Sequence, residues 1–335
     1  MLRKKSVLLL VSLFLVALLA ACGGAEESSG GSESSSEGGS NTNESAAEKS
    51  DITIGFQVYG LQAEFATILT EAMEAKAEDL GVELVVMDGN YDVSTAISQL
   101  QSLETQNVDA IIVNPIDAEA LNNTVNSIVE NGTPVIGVNA FLTADKLSSY
   151  VGSPDVVAGE METKQLVEAL GGKGNVVIFE GPIGQSAQVE RGQGIENILK
   201  EYPEITVLEK RTANWSRSEA MDIMENWLQS HGDNIDGVIG QNDEMALGAL
   251  NALKAKGMDI PVVGVDGVYD ALLALKSGDM VASIFQNAVA QGETAVEVAY
   301  KAAQGETLEE LYEVPFELVT ADNADEYIEK FYGDK

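Results

Sequence analysis

The sequence predicts an α/β protein in which parallel β-sheets are covered by helices on both faces. Short runs rich in valine and isoleucine alternate with longer amphipathic segments along most of the chain. Continuous apolar runs are typical of strands that are buried on both faces, and regular alternation with helices indicates parallel strand order. There are also more predicted strands than one sheet readily holds, which favours two similar lobes.

The individual elements follow from the same pattern. The predicted strands lie at 52–58, 82–87, 110–113, 135–138, 176–179, 207–210, 237–239, 262–265 and 281–285. The predicted helices include 63–80, 93–106, 118–131, 156–170, 186–201, 218–230 and 243–256. A Ser/Gly/Pro stretch at 149–154 follows a short strand, and we expect the boundary between the lobes there.

The N-terminus predicts export and lipid attachment. Three basic residues at 3–5 precede an apolar run at 7–21, which is shorter than the about 20 residues of a membrane-spanning helix and typical of a signal peptide. The run ends in Ala21-Cys22 and resembles the lipobox of bacterial lipoproteins, with Cys22 as the lipid-attachment residue. An ordinary signal peptide with an incidental cysteine is the alternative. Cys22 is the only cysteine, so an intramolecular disulfide is excluded.

The segment after the signal peptide predicts a tether. Residues 23–50 are rich in Gly, Ser, Glu and Asn and contain no large apolar residue, so they are expected to be disordered. We therefore predict a signal peptide at 1–21 and a lipidated cysteine with its tether at 22–50. The protein would lie at the outer face of the cytoplasmic membrane, which it contacts only through the lipid anchor. A formal net charge of −35 makes nucleic acid an improbable partner.

Polar and aromatic side chains gather directly after the predicted strands. Parallel sheets bind ligands outside the carboxyl ends of their strands. Arg, Asp and amide groups can bond neighbouring hydroxyls, while aromatic faces cover the apolar face of a ring. This chemistry suits a small neutral sugar or cyclitol and requires no cofactor, metal or catalytic residue. The residues concerned are Tyr59, Phe65, Asn114, Asn139, Arg191, Trp215, Asn242, Asp266 and Gln286.

Three of these residues could instead serve as helix caps or turn formers. Asn114 and Asn242 could each cap the following helix through their side-chain oxygens. For the second of them, Asp243 is the better-placed cap, which would leave Asn242 free. Asp266 precedes a glycine and could form a turn.

Three more of these residues could lie at the surface or in the core instead of a ligand site. Arg191 could form a surface ion pair with Glu190 or Glu196. Trp215 could be a core residue, although its polar neighbours indicate a loop. Gln286 follows an apolar strand and could equally lie at a solvated edge.

The run QNDEMALGAL at 241–250 resembles the signature of the ribose-binding group of type I periplasmic binding proteins. Segments 112–115, 181–192 and 263–267 agree with that group in order and spacing. The resemblance implies two Rossmann-like lobes joined by a three-crossover hinge. It places 51–153 plus 287–313 in the N-terminal lobe and 154–286 plus 314–332 in the C-terminal lobe.

The resemblance also implies ligand contacts by Arg191, Asn242, Asp266 and Gln286, with Trp215 as an aromatic stacker. Phe65 falls where the group has an aromatic, and Tyr59 and Asn139 would close over the ligand from the other lobe. Ribose binders have an Asp-Arg pair where this chain has Asn139-Ala140, which argues against ribose. The stretches 212–217 and 224–227 resemble inositol- and rhizopine-type binders.

The implied function is capture of a sugar or cyclitol, by a monomer, for an ABC transporter permease. A ligand sensor for a chemoreceptor or signalling partner is the alternative use. An enzyme is not expected, because the only histidine, His231, is placed in a solvated loop and 171–174 lacks P-loop spacing. A gene regulator would need a helix-turn-helix where the signal peptide and tether lie.

Overall fold

A computed structural model describes residues 51–333 of the chain. The predicted signal peptide, Cys22 and the predicted tether lie outside the described residues. Among the described residues, no helix combines the length and apolar character that crossing a membrane requires.

The first sheet has six strands, numbered here in chain order. They are β1 (Thr53–Val58), β2 (Glu83–Asp88), β3 (Ala110–Asn114), β4 (Val135–Val138), β5 (Ser149–Gly152) and β11 (Leu311–Glu313). Their order is β11-β5-β4-β3-β1-β2, and every neighbouring pair is parallel. The helices that pack on this sheet are α1 (Glu64–Leu80), α2 (Val93–Thr105), α3 (Asn122–Glu130) and α9 (Ala288–Ala303).

The second sheet also has six strands, in the order β12-β10-β9-β8-β6-β7. They are β6 (Gly174–Glu180), β7 (Ile205–Thr212), β8 (Gly237–Gly240), β9 (Val262–Asp266), β10 (Ala282–Phe285) and β12 (Glu317–Val319). The pair β10–β12 is antiparallel and the other pairs are parallel. The helices of this half are α4 (Asp155–Ala169), α5 (Ser186–Leu199), α6 (Arg217–His231), α7 (Asp243–Lys256), α8 (Tyr269–Ser277) and α10 (Ala324–Tyr332).

Within residues 51–333 the chain passes between the sheets after β5, after β10 and after β11. One hydroxyl joins these passages: Ser153 Oγ donates to the carbonyl of Val314 at 2.6 Å and accepts from Gln291 Nε2 at 2.8 Å. The two α/β sheets confirm the predicted fold class. We call the half built on the first sheet the first lobe and the half built on the second sheet the second lobe.

Several predicted elements differ from the observed ones. The Ser/Gly/Pro stretch expected as a boundary begins with a strand, β5, and the crossing follows it. The helix predicted from residue 118 begins at Asn122, because Asp117 Oδ1 accepts from the backbone N–H groups of Glu119 and Ala120 and forms a turn. His231 is the last residue of α6 rather than a loop residue, and its Nε2 lies 3.2 Å from Glu209 Oε1.

Candidate functional site

A buried cavity lies between the lobes, at the carboxyl ends of strands from both sheets. The space in it that a water-sized molecule could occupy is about 20 Å³, far below the roughly 300–1,000 Å³ of a small-molecule site, so its side chains already lie close against one another. The cavity brings together eight of the side chains expected from the sequence and adds Gln185 and Ala187. The eight are Tyr59, Phe65 and Asn139 of the first lobe with Arg191, Trp215, Asn242, Asp266 and Gln286 of the second.

Arg191 is the charged centre of this cavity and is 3% exposed. Its Nε donates to Asp155 Oδ1 at 2.8 Å, its Nη1 to the carbonyl of Gln241 at 2.6 Å, and its Nη2 to Gln286 Oε1 at 2.9 Å. A surface ion pair with Glu190 or Glu196 is therefore wrong, since the partner is Asp155. Burial raises the pKa of Asp155, and the Arg191 guanidinium opposes that rise. The guanidinium is thus fixed in direction before any ligand arrives.

Asp266 ends β9 in a conformation that few non-glycine residues adopt, with φ of 127°. Asp243 holds the turn, because its Oδ2 accepts from the backbone N–H of Gly267 at 2.7 Å and of Val268 at 3.0 Å. The Asp266 carboxylate lies 3.8 Å from Arg191 Nη1. Burial raises the pKa of Asp266 well above its usual range, and Arg191 opposes the shift. The predicted turn is therefore correct for the backbone, while the side chain lines the cavity.

The amide side chains divide into capping and cavity roles. Asn242, not Asp243, caps α7, and its Oδ1 accepts from the N–H of Met245 at 3.0 Å. Asn114 caps none of the helices that the structure describes, and its Nδ2 donates to Asn139 Oδ1 at 3.4 Å. Gln286 is 2% exposed, so a solvated edge is wrong for it. Among the described residues its Nε2 has no hydrogen-bond partner, which leaves a buried donor for a ligand.

Three aromatic side chains complete the lining. Tyr59 packs edge-on against Tyr91, with ring centroids 5.4 Å apart. Burial raises the pKa of the Tyr59 hydroxyl well above its usual range, so it stays protonated and able to donate. Trp215 lies in a loop, as its polar neighbours indicated, yet is only 6% exposed. Its ring centroid is 5.7 Å from Arg191 Cζ, a cation–π distance.

The arrangement is suited to binding a small polar ligand. Residues 51–333 contain no group of His, Cys, Asp and Glu side chains that could hold a metal ion. The cavity combines a fixed guanidinium, a carboxylate, amides and three aromatic rings. These groups can hydrogen-bond several hydroxyls of one small ligand while the rings exclude water.

Comparison with known proteins identifies the family. The family model for the periplasmic binding protein domain matches residues 54–307, most of the described chain. The chain belongs to this family.

The relatives of this periplasmic binding protein are named as binding proteins. It is 43% identical over 289 residues to a xylitol-binding protein from Mycolicibacterium smegmatis, covering 85% of this chain and 82% of the relative. It is 37% identical over 285 residues to a putative rhizopine-binding protein from Rhizobium meliloti, covering 82% and 92%. An ABC transporter solute-binding protein from Bacillus halodurans, solved with bound myo-inositol, matches with a TM-score of 0.81 and 37% identity, over 85% of this chain and 99% of that one. The family resemblance seen in the sequence is therefore confirmed.

Besides Ala187, two polar residues at the site were not found from the sequence of this periplasmic binding protein. Asp155 follows Pro154 at the start of α4, where an acidic residue is ordinary for a helix N-terminus. Gln185 lies in the loop before α5, and no pattern distinguishes it from other loop amides. Only the packing of α4 against α5 brings Asp155 to Arg191.

Proposed function

We propose that this protein is an extracytoplasmic solute-binding lipoprotein that captures a polyol, cyclitol or monosaccharide and delivers it to an ABC importer permease. One observation carries the proposal. A buried cavity between the lobes joins a fixed Arg191 and Asp266 to aromatic rings from both lobes. Lipid attachment at Cys22 would keep the protein beside its permease.

The charge and shape of the cavity favour a neutral, polyhydroxylated ligand. Arg191 is already paired with Asp155 at 2.8 Å, so a second full negative charge on the ligand would compete with existing partners. Gln286 Nε2 supplies a buried donor that has no partner within residues 51–333, and Asp266 supplies acceptors. Asn139 and Ala140 stand where ribose binders have a charged pair. A sugar alcohol or a cyclitol fits this neutral side better than ribose does.

Capture would proceed by hinge closure. Ligand first contacts Arg191, Asn242 and Asp266 of the second lobe, and the first lobe then closes with Tyr59 and Asn139 over the other face. Because the ligand contacts both lobes only in the closed form, it binds that form more tightly and shifts the population toward it. The permease would recognise the closed shape.

Isothermal titration calorimetry tests the ligand class. Residues 51–333 lie within one compact unit, and a chain that begins at residue 51 would be titrated with xylitol, myo-inositol and ribose. We expect the tightest binding for a sugar alcohol or a cyclitol, and at a hundred times its dissociation constant that ligand should stabilise the fold by about 2.7 kcal/mol. The ligand class is wrong if a wider panel of sugars, polyols and cyclitols produces neither heat nor a thermal shift.

Membrane fractionation tests the lipoprotein part independently. The unmodified full-length chain should sediment with membranes, and Cys22→Ser should release it to the soluble fraction or block its processing. Equal membrane association of both chains would contradict lipid attachment at Cys22 and leave the ligand class untouched.

A further inference from the structure

We propose that Gln185 is a positioning residue that holds the Trp215 indole against the ligand cavity and ties that position to closure of the lobes. The inference rests on the proposed function, because it assigns a role within the same cavity. Gln185 is 2% exposed and lies in the loop between β6 and α5.

Both polar atoms of the Gln185 side-chain amide form hydrogen bonds. Its Oε1 accepts from Trp215 Nε1 at 2.6 Å. Its Nε2 donates to the carbonyl of Pro115 at 3.0 Å, and Pro115 follows β3 in the first lobe. One planar group thus joins an aromatic ring of the second lobe to the backbone of the first.

Trp215 needs such a partner because its backbone is unusual. Asn214 and Trp215 both lie in the left-handed region, with φ of 51° and 60°, and a bulky residue there is strained unless its surroundings hold it. The indole lies directly on Gly181, where an added Cβ would come within 2.0 Å of Trp215 Cζ2. The absence of a side chain at Gly181 leaves room for the six-membered part of the indole, and Gln185 fixes the direction of the indole through its N–H.

The link to closure follows from the neighbouring contacts between the lobes. The N–H of Phe141 donates to Ser186 Oγ at 2.6 Å, and the N–H of Ala118 donates to the carbonyl of Gly184 at 3.1 Å. Gln185 lies between Gly184 and Ser186 in the sequence, and its hydrogen bond to Pro115 also joins the two lobes. Opening of the lobes would break the hydrogen bond between Gln185 and Pro115. The Gln185 amide would then keep only its hydrogen bond to the Trp215 indole.

A double-mutant cycle measures the coupling between the two residues. Gln185→Met conserves volume but removes both hydrogen bonds, and Trp215→Phe keeps an aromatic ring but removes the N–H. With myo-inositol as the probe in calorimetry, Gln185→Met should weaken binding at least about tenfold in the unmodified chain. In the Trp215→Phe background the same change should weaken it by less than about threefold. Equal losses in both backgrounds would overturn the positioning role.

A ligand-free measurement separates this inference from the proposed function. In a Trp227→Phe background Trp215 is the only tryptophan, because the sequence contains two. Acrylamide should quench its fluorescence more strongly in Gln185→Met and in Gln185→Leu than in the parent. Ser186→Ala, which removes only the bond to Phe141, should leave quenching unchanged.

The two experiments fail in different ways. If the unmodified chain does not bind myo-inositol, that ligand of the proposed function fails, while the quenching comparison still decides whether Gln185 holds Trp215. Unchanged quenching in both Gln185 variants, with unchanged thermal melts, would overturn the inference whatever the ligand proves to be.

Discussion

The two lobes contribute different chemistry to the same cavity. The second lobe supplies Arg191 and Asp266, and the first lobe supplies the neutral side chains of Tyr59, Phe65 and Asn139. On the second lobe Arg191 makes three hydrogen bonds of 2.6–2.9 Å. On the first lobe, the hydrogen bonds of the Asn139 amide to Asn114 and Gln291 are both 3.4 Å. The comparison indicates a charged, preorganised face on one lobe and a neutral, adaptable face on the other.

This difference suggests a division of work during binding. A preorganised face loses little conformational entropy when ligand docks, so it should supply most of the affinity. The adaptable face is completed by closure and should mainly govern how long the ligand stays. Variants of the two lobes should therefore differ both in the size of their effect and in the rate that changes.

Arg191→Lys should give the largest effect. Lysine keeps the charge but cannot reproduce the three directed bonds of the guanidinium, and loss of directed bonds at a buried charge pair costs about 2–5 kcal/mol. We expect the dissociation constant for the bound polyol to rise at least about 30-fold, measured by calorimetry.

The matched control is Arg211→Lys, the same change at an exposed position of β7. It should leave affinity unchanged. If Arg191→Lys also binds normally, the second lobe does not provide the main part of the affinity, and the comparison between the lobes fails.

Asn139→Gly should give a smaller effect from the first lobe. Asn139 has φ of 63°, so glycine tolerates the backbone and the change removes only the amide. Loss of neutral hydrogen bonds of about 1 kcal/mol should weaken binding about fivefold. Stopped-flow measurement should place most of this loss in a faster dissociation rate.

Asn107→Gly is the control for that variant, because Asn107 is exposed and has φ of 56°. It should change neither rate. A slower association rate in Asn139→Gly, with dissociation unchanged, would show that the first lobe takes part in the initial docking.

The residues that line the charged side of the cavity were easier to predict from the sequence than the residues that hold them in place. Asp266 ends β9 and Asn242 closely follows β8, two strands whose apolar runs are clear in the sequence, so their place at the sheet edge follows from topology. Arg191 lies within α5, the helix that follows β6, and reaches the same edge from there. Asp155 and Gln185 make their contacts only when segments distant in sequence pack together. The local sequence around each residue does not indicate that packing. The short strand β11 was missed for a similar reason, because its three residues are mostly exposed and are defined by pairing with β5.

The smallest effect that we expect is a dependence of ligand binding on pH. It arises from a pair of carboxyl groups, one on each lobe. Glu64 begins α1 on the first lobe, and burial together with Glu244 of the second lobe raises the pKa of Glu64 to about 7. Arg217, which bonds Glu244 and Asp270, opposes that rise, and Asp270 adds to it. Tyr332 is a further titratable group near Glu64: burial raises the pKa of the Tyr332 hydroxyl, and Glu64 adds to that rise.

The sign follows from where the proton is held. Opening separates Glu64 from Glu244 and returns its pKa toward the ordinary value of 4.5, so between about pH 4.5 and 7 the closed form holds more protons than the open form. Rising pH therefore favours opening and weakens ligand binding until the pKa of the closed form is passed. For a partly exposed pair we expect a change of about two- to fivefold between pH 5 and pH 8.

Glu64→Gln isolates this contribution, because glutamine is neutral at every pH and other groups of the cavity titrate equally in both chains. Calorimetry at pH 5 and pH 8 should show a smaller pH dependence in Glu64→Gln than in the parent, with the variant binding more tightly at pH 8. Glu71→Gln, an exposed change on the same helix, should leave the parent dependence intact. Identical pH profiles for Glu64→Gln and the parent would mean that closure does not bring Glu64 and Glu244 together. The two lobes would then close without electrostatic repulsion between these carboxyl groups.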